Sequence, residues 1–77
     1  MLRPSKHTSL KYSIVNMSAQ ILKITSESGI IPYNELLQNL RLTIGEKAGE
    51  NFVLSLSFLY IHGKIEYIRE LDAIRAL

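Results

Sequence analysis

A reaction centre in this chain would have to be built from its serines, its two histidines, its carboxylates or its glycine turns. Ser5, Ser9, Ser13, Ser18, Ser26, Ser28, Ser55 and Ser57 have no base-and-orienter pair near them in the pattern that a nucleophilic triad requires. His7 falls in a polar N-terminal stretch. His62 directly precedes Gly63, where an imidazole complements a helix C-terminal dipole. Two imidazoles this far apart, in a chain without cysteine, do not supply a zinc ligand set. Glu46 and Glu50 stand one helical turn apart and read as surface carboxylates. Gly45 and Gly49 lack the GxxxxGK[ST] spacing of a phosphate loop. The expectation is therefore a protein that is not an enzyme, with no catalytic residues, no cofactor and no metal.

The elements around these residues define one small domain. The chain has 77 residues, below the roughly 100–200 residues of an average domain. A chain this short buries only about 60% of its unfolded surface, so disulfides, a metal or a partner usually complete its stability. With no cysteine, another protein chain is the remaining stabiliser. Apolar residues make up 47% and charged residues 21%, which is globular composition rather than disorder. No apolar run of about 18 residues predicts a membrane span. Residues 1–13 carry charge without a following apolar stretch, so no secretory signal is expected. A cytoplasmic location follows as the expectation.

Periodicity predicts three helices. Residues 1–8 form an arm, with Thr8 or Ser9 as the N-cap of a helix from about Leu10 to Ser28, closed by Gly29. Its expected core stripe is Leu10, Ile14, Met17, Ile21 and Ile24. Ile30 to Tyr33 is extended, at most an edge strand because of Pro32. A second helix runs from Tyr33 or Asn34 to Thr43 and buries Leu36, Leu37, Leu40 and Ile44. A third runs from about Glu46 to His62, its start weakened by Gly49. Lys64 to Ile68 alternates like a strand, Arg69 to Asp72 turns, and Ala73 to Leu77 returns. The expected fold class is α+β, a small winged helix-turn-helix of three helices plus a C-terminal β-hairpin, in one domain over residues 1–77.

The third helix has too much apolar surface for one buried face. At about 100° per residue, Phe52, Leu56 and Leu59 form one stripe, flanked by Val53 and Tyr60. Leu54, Phe58 and Ile61 form another on the opposite side. A surface helix of a monomer carries a single apolar face. Either the hairpin covers the second stripe or a partner does. The partner reading assigns an interface to Leu54, Phe58 and Ile61, joined by Tyr12 and Val15, which lie off the core stripe of the first helix.

Charge bears on nucleic acid. The net charge is +2, too small to argue for DNA alone. Four basic residues and no acid precede Glu27, whereas five basic and seven acidic residues follow from there. The third helix, the recognition helix of a DNA-binding winged domain, has no charge from Asn51 to Ile61. Base readout is therefore not expected. Non-specific phosphate contact would fall to Arg3, Lys6, Lys11, Lys64, Arg69 and Arg75. The alternative function is a stand-alone winged-helix DNA-binding regulator.

Several segments in order resemble a known family. They are Lys6-His7-Thr8-Ser9-Leu10-Lys11-Tyr12-Ser13-Ile14-Val15-Asn16, then Tyr33-Asn34-Glu35-Leu36-Leu37, then Asn51-Phe52 leading to Phe58-Leu59-Tyr60 and Gly63-Lys64-Ile65-Glu66-Tyr67. Together they resemble the small middle components of bacterial ABC-three-component systems. The resemblance implies a winged-helix-like subunit without activity of its own, in a Lamassu-like anti-phage or anti-plasmid system. Its implied partners are an SMC-like or ABC-type ATPase and an effector, often a nuclease. DNA contact would be indirect or non-specific, and no membrane is involved. The small subunit would hold the ATPase and help restrain the effector until foreign DNA ends are sensed. Gly63 to Tyr67 would be the first wing strand. Ile68-Arg69-Glu70-Leu71-Asp72 departs from the more polar turn of the family.

Overall fold

The computed structural model describes residues 12–77. Helix α1 (Ile14–Ser28) leads into strand β1 (Ile30–Pro32), helix α2 (Tyr33–Thr43), a 3-10 helix (Glu46–Glu50) and helix α3 (Phe52–Ile61). Strands β2 (Ile65–Ile68) and β3 (Ala73–Ala76) follow, joined through a second 3-10 turn (Arg69–Leu71). The three helices, with the sheet formed largely from the C-terminal end, give the expected α+β winged-helix-like architecture. Among the described residues, no helix is long and apolar enough to cross a membrane.

Helix α1 begins later than the sequence suggested. Ser13 is extended (φ −65°, ψ 153°) and its hydroxyl accepts the Asn16 N–H at 3.1 Å. That bond satisfies one of the donors left free in the first helical turn, so the described helix starts at Ile14. The expected arm (residues 1–8), the other N-cap candidate Ser9 and the first expected helical residue Leu10 lie outside the described residues. Gly29 closes α1 with φ 79°, donating its N–H to the Thr25 carbonyl at 2.8 Å.

The buried face of α1 also differs from the expected stripe. Met17, Ser18, Ile21 and Thr25 are buried, whereas Ile14 and Ile24 are half-buried. The small hydroxylated residues let neighbouring elements come close, and their polar atoms are satisfied. Thr25 Oγ1 donates within its own helix to the carbonyls of Ile21 (2.9 Å) and Leu22 (3.1 Å). Ser18 Oγ reaches across to the Ser55 carbonyl of α3 at 3.5 Å. Helix α2 has the expected bounds, with Leu36 and Leu40 buried and Leu37 and Ile44 packed at the core margin.

The expected third helix is divided. Glu46–Glu50 forms a 3-10 helix that buries Ala48, and α-helix resumes only at Phe52 after Asn51 (φ −112°, ψ 12°). Gly49 lowers the local α-helical preference, and the tighter turn seats Ala48 in the core. The C-terminal strands pair antiparallel with Tyr67 opposite Ile74 and Ile68 opposite Ala73. Strand β1 adds to the far side of β3, placing Ile31 opposite Ile74, so the sheet order is β1-β3-β2. The proline-bearing segment is thus an edge strand. Met17, Ile21, Ile31, Leu36, Leu40, Phe52, Leu59, Ile65 and Ile74 form one core between helices and sheet.

Candidate protein-docking face

Helix α3 is apolar around its whole circumference, and packing uses only one side. Phe52, Ser55 and Leu59 are buried and Leu56 is half-buried. Phe52 meets Tyr33 edge-to-face with ring centroids 5.1 Å apart. Ser55 sits inside because its hydroxyl donates to the Asn51 carbonyl at 2.8 Å. Four residues on, Leu59 completes the inner face.

The outer side of α3 is uncovered by the wing. Leu54 is 56% exposed, Phe58 41% and Ile61 79%. Val53 and Tyr60, expected to flank the core stripe, are exposed as well. The hairpin lies beside this face rather than over it, because Ile65 and Ile74 are drawn into the core. Ser57 stands in the middle of the exposed surface, and its hydroxyl already donates to the Val53 carbonyl at 2.9 Å. Covering this face would therefore strand neither that donor nor any charged group of α3.

Two shallow apolar grooves flank the α3 ridge. On the wing side, a groove of about 480 Å³ is bordered by Tyr33, Ser57, Tyr60, Ile61, Tyr67 and Ile74. Between α1 and α3, one of about 330 Å³ is bordered by Val15, Ala19, Leu22, Phe58, His62 and Lys64. The second brings Val15 together with Phe58, whereas Ile61 borders the first. Tyr12 lies elsewhere. It packs against the core at its margin, and its carbonyl accepts a 2.8 Å hydrogen bond from Asn51 Nδ2. Tyr60, expected beside the core stripe, and Tyr67, expected only as part of the first wing strand, both border the wing-side groove. The only sequence signal for Tyr67 was its alternation with Ile65, which puts both on the inner face of the wing.

Among the described residues, the basic side chains Lys64, Arg69 and Arg75 do not converge. Arg3, Lys6 and Lys11 lie outside the described residues. Lys64 and Arg69 are exposed at opposite ends of β2. Arg75 pairs with Glu66 across the outer face of the sheet, and that partner offsets its charge. His62 is the C-cap of α3, with its N–H bonded to the Phe58 carbonyl and its ring 4.4 Å from that of Phe58. In the wing, Asp72 adopts a left-handed conformation (φ 47°) and accepts a 2.6 Å hydrogen bond from the Tyr67 hydroxyl. That bond, with the negative charge of Asp72 close by, raises the pKa of the Tyr67 phenol above its ordinary value. Among the described residues, no group of three His, Cys, Asp or Glu side chains could hold a metal.

Residues 29–77 match the family model for the ABC-three component (ABC-3C) system Middle Component 8. No curated protein and no solved structure matches the chain. The match begins at the glycine that closes α1 and takes in α2, α3 and the whole sheet. The segment from Lys6 to Asn16 lies outside it. With well over half of its length matched, the chain belongs to the Middle Component 8 family of ABC-three component systems, and is the middle component of such a defence system with its partners in that same system.

Proposed function

We propose that this chain is a non-catalytic small subunit that bridges or stabilises an SMC-like ABC ATPase and its effector, a nuclease, in a Lamassu-like anti-phage or anti-plasmid complex. In this reading it also helps keep the effector restrained. The observation that supports the reading most is the uncharged outer face of α3, where Leu54, Phe58 and Ile61 stand exposed on a folded domain. Apolar patches of this kind mark interaction surfaces.

Magnitudes set the extent of the contact. Complete burial of a large apolar side chain is worth roughly 1.5–3 kcal/mol, and these three are already partly covered. Association costs about 4–15 kcal/mol in lost freedom and ordering. Three residues alone would barely offset the lower end of that range. A stable contact must also cover Val53, Tyr60 and at least one flanking groove. Two grooves on opposite flanks of one helix suit a subunit that touches two neighbours. A rearrangement driven by ATP in the ATPase would alter this contact and release the effector.

The non-catalytic part of the proposal rests on the scattered serines, histidines and carboxylates. The regulator reading would need α3 to enter a DNA groove, where phosphate contact is made by basic side chains. An α3 without charge argues against it. Co-expression of the tagged chain with its neighbouring gene products, followed by size exclusion with mass determination, tests the proposal. The expected result is a stoichiometric complex with a large ATPase, lost in Phe58→Asp although circular dichroism shows that variant folded. A folded chain that co-purifies with nothing, or a Phe58→Asp variant that assembles normally, overturns it.

A further inference from the structure

The groove between α1 and α3 has a feature its wing-side neighbour lacks. Its floor and walls are largely apolar, with Val15, Ala19 and Leu22 following one another at helical spacing on α1 and Phe58 facing them from α3. At one end stands Lys64. It is exposed and forms no ion pair with any described residue. Among the described residues, no carboxylate borders the groove. Ser18, whose hydroxyl reaches the Ser55 carbonyl, and His62, packed against Phe58, are the other polar side chains beside it. A cation at the mouth of this largely apolar channel complements a ligand that is apolar along its length and negative at one point.

The walls define the shape of that ligand. Both are helices, whose backbone donors and acceptors are used internally, so an added β-strand would find no free edge. The Lys64 N–H is itself bonded to the Leu59 carbonyl and the Lys64 carbonyl to the Leu77 N–H. A channel between two packed helices accepts the side-chain ridge of a third, and the small Ala19 leaves room for close approach. Helix α3 spans about 15 Å, enough to hold two to three turns of a partner helix.

We infer that this groove receives an amphipathic helix of the co-encoded ATPase, whose apolar stripe lies between Val15 and Phe58 and whose carboxylate pairs with Lys64. The inference rests on the bridging-subunit reading and gives the chemistry of the segment that docks. It also assigns Lys64 to a protein contact rather than to phosphate.

Binding of the full-length chain to its purified co-encoded ATPase, measured by calorimetry at two salt concentrations, tests the inference with four variants. Val15 is exposed and stands second in α1, where an added carboxylate complements the helix dipole. Val15→Asp should therefore keep its melting temperature and still lose about a hundredfold or more in affinity. Lys64→Met should lose severalfold and Lys64→Glu on the order of tenfold, both with a shallower salt dependence. Leu54→Asp reports on the outer face alone. If Leu54→Asp abolishes binding while Val15→Asp and Lys64→Glu bind like the parent, the docking face stands and the groove assignment is overturned. If all four bind normally, the bridging reading falls with it. If Lys64→Glu leaves assembly intact but weakens binding to a random DNA duplex with steep salt dependence, Lys64 contacts nucleic acid and the inference is wrong.

Discussion

The side-chain amide of Asn51 donates a 2.8 Å hydrogen bond to the backbone carbonyl of Tyr12, 39 residues earlier in the chain. Asn51 is the residue before α3, where asparagine ordinarily caps the helix with its side-chain oxygen. Here it makes no such cap. The amide is turned outward to fasten the segment ahead of α1 to the junction between the 3-10 helix and α3.

This geometry separates two roles by mutation. Asn51→Ala should cost about 1 kcal/mol, the ordinary net value of one hydrogen bond. Asn51→Asp should cost more, because a carboxylate cannot donate and would face the Tyr12 carbonyl with its own negative charge. A capping role would rank them the other way, since aspartate caps as well as asparagine. Urea unfolding of the three proteins at neutral pH decides the order.

Gly45 is held at φ 144°, ψ 172° between α2 and the 3-10 helix, a conformation that a side chain strongly disfavours. The Tyr12 hydroxyl lies where a Cβ on Gly45 would stand. Gly45→Ala should therefore destabilise the fold by on the order of 2 kcal/mol through backbone strain, with overlap added to it. Adding Tyr12→Phe removes the overlapping oxygen but not the strain. Gly45→Ala should therefore cost less in the Tyr12→Phe background than in the parent, and still destabilise that background, in thermal unfolding.

How much of this was legible in advance depends on whether a feature is local. Pro32 and Gly45 bracket α2, and its bounds follow from the chain chemistry of those two residues. The exposed face of α3 was also legible, since eleven residues from Asn51 to Ile61 without a charge cannot all turn inward on a small domain. The division of the third helix was not, because the 3-10 turn depends on where Ala48 can be buried. Ser18 and Ser55 look polar in sequence and are buried only because α1 and α3 approach closely there. The two grooves have no local signature at all. They exist because Val15 and Phe58, or Tyr60 and Tyr67, are brought side by side by packing between elements.

The Tyr67–Asp72 hydrogen bond gives the wing an alkaline signature. The bond holds the phenol protonated, so the folded pKa lies above the unfolded one and the cause is chiefly the Asp72 carboxylate. Protons are then bound more tightly in the native state. The associated stabilisation is complete below the ordinary tyrosine range and is lost as pH rises through the raised folded value. Ultraviolet difference titration of the parent against Tyr67→Phe should show this residue ionising later than an ordinary phenol. In Asp72→Ala the same difference should shift back towards the ordinary range. An unchanged titration would mean that the wing turn does not hold this bond in solution.

The outer face of α3 makes a prediction that needs no partner. Leu54 and Ile61 contribute little to the core, because more than half of each is exposed, and surface substitutions away from special features usually change stability within about 0.5 kcal/mol. A Leu54→Glu/Ile61→Glu double variant should therefore melt within a few degrees of the parent. It should also remain soluble at concentrations where the isolated parent chain self-associates, since removing an exposed apolar patch removes the driving force for aggregation. Concentration-dependent light scattering of the two proteins measures this directly. Equal scattering would mean that the ridge is not the sticky surface of the free chain. Unfolding of the double variant would mean that α3 is packed more deeply than its exposure indicates. Gained solubility with unchanged melting would instead separate what α3 does for the fold from what its outer face does for assembly.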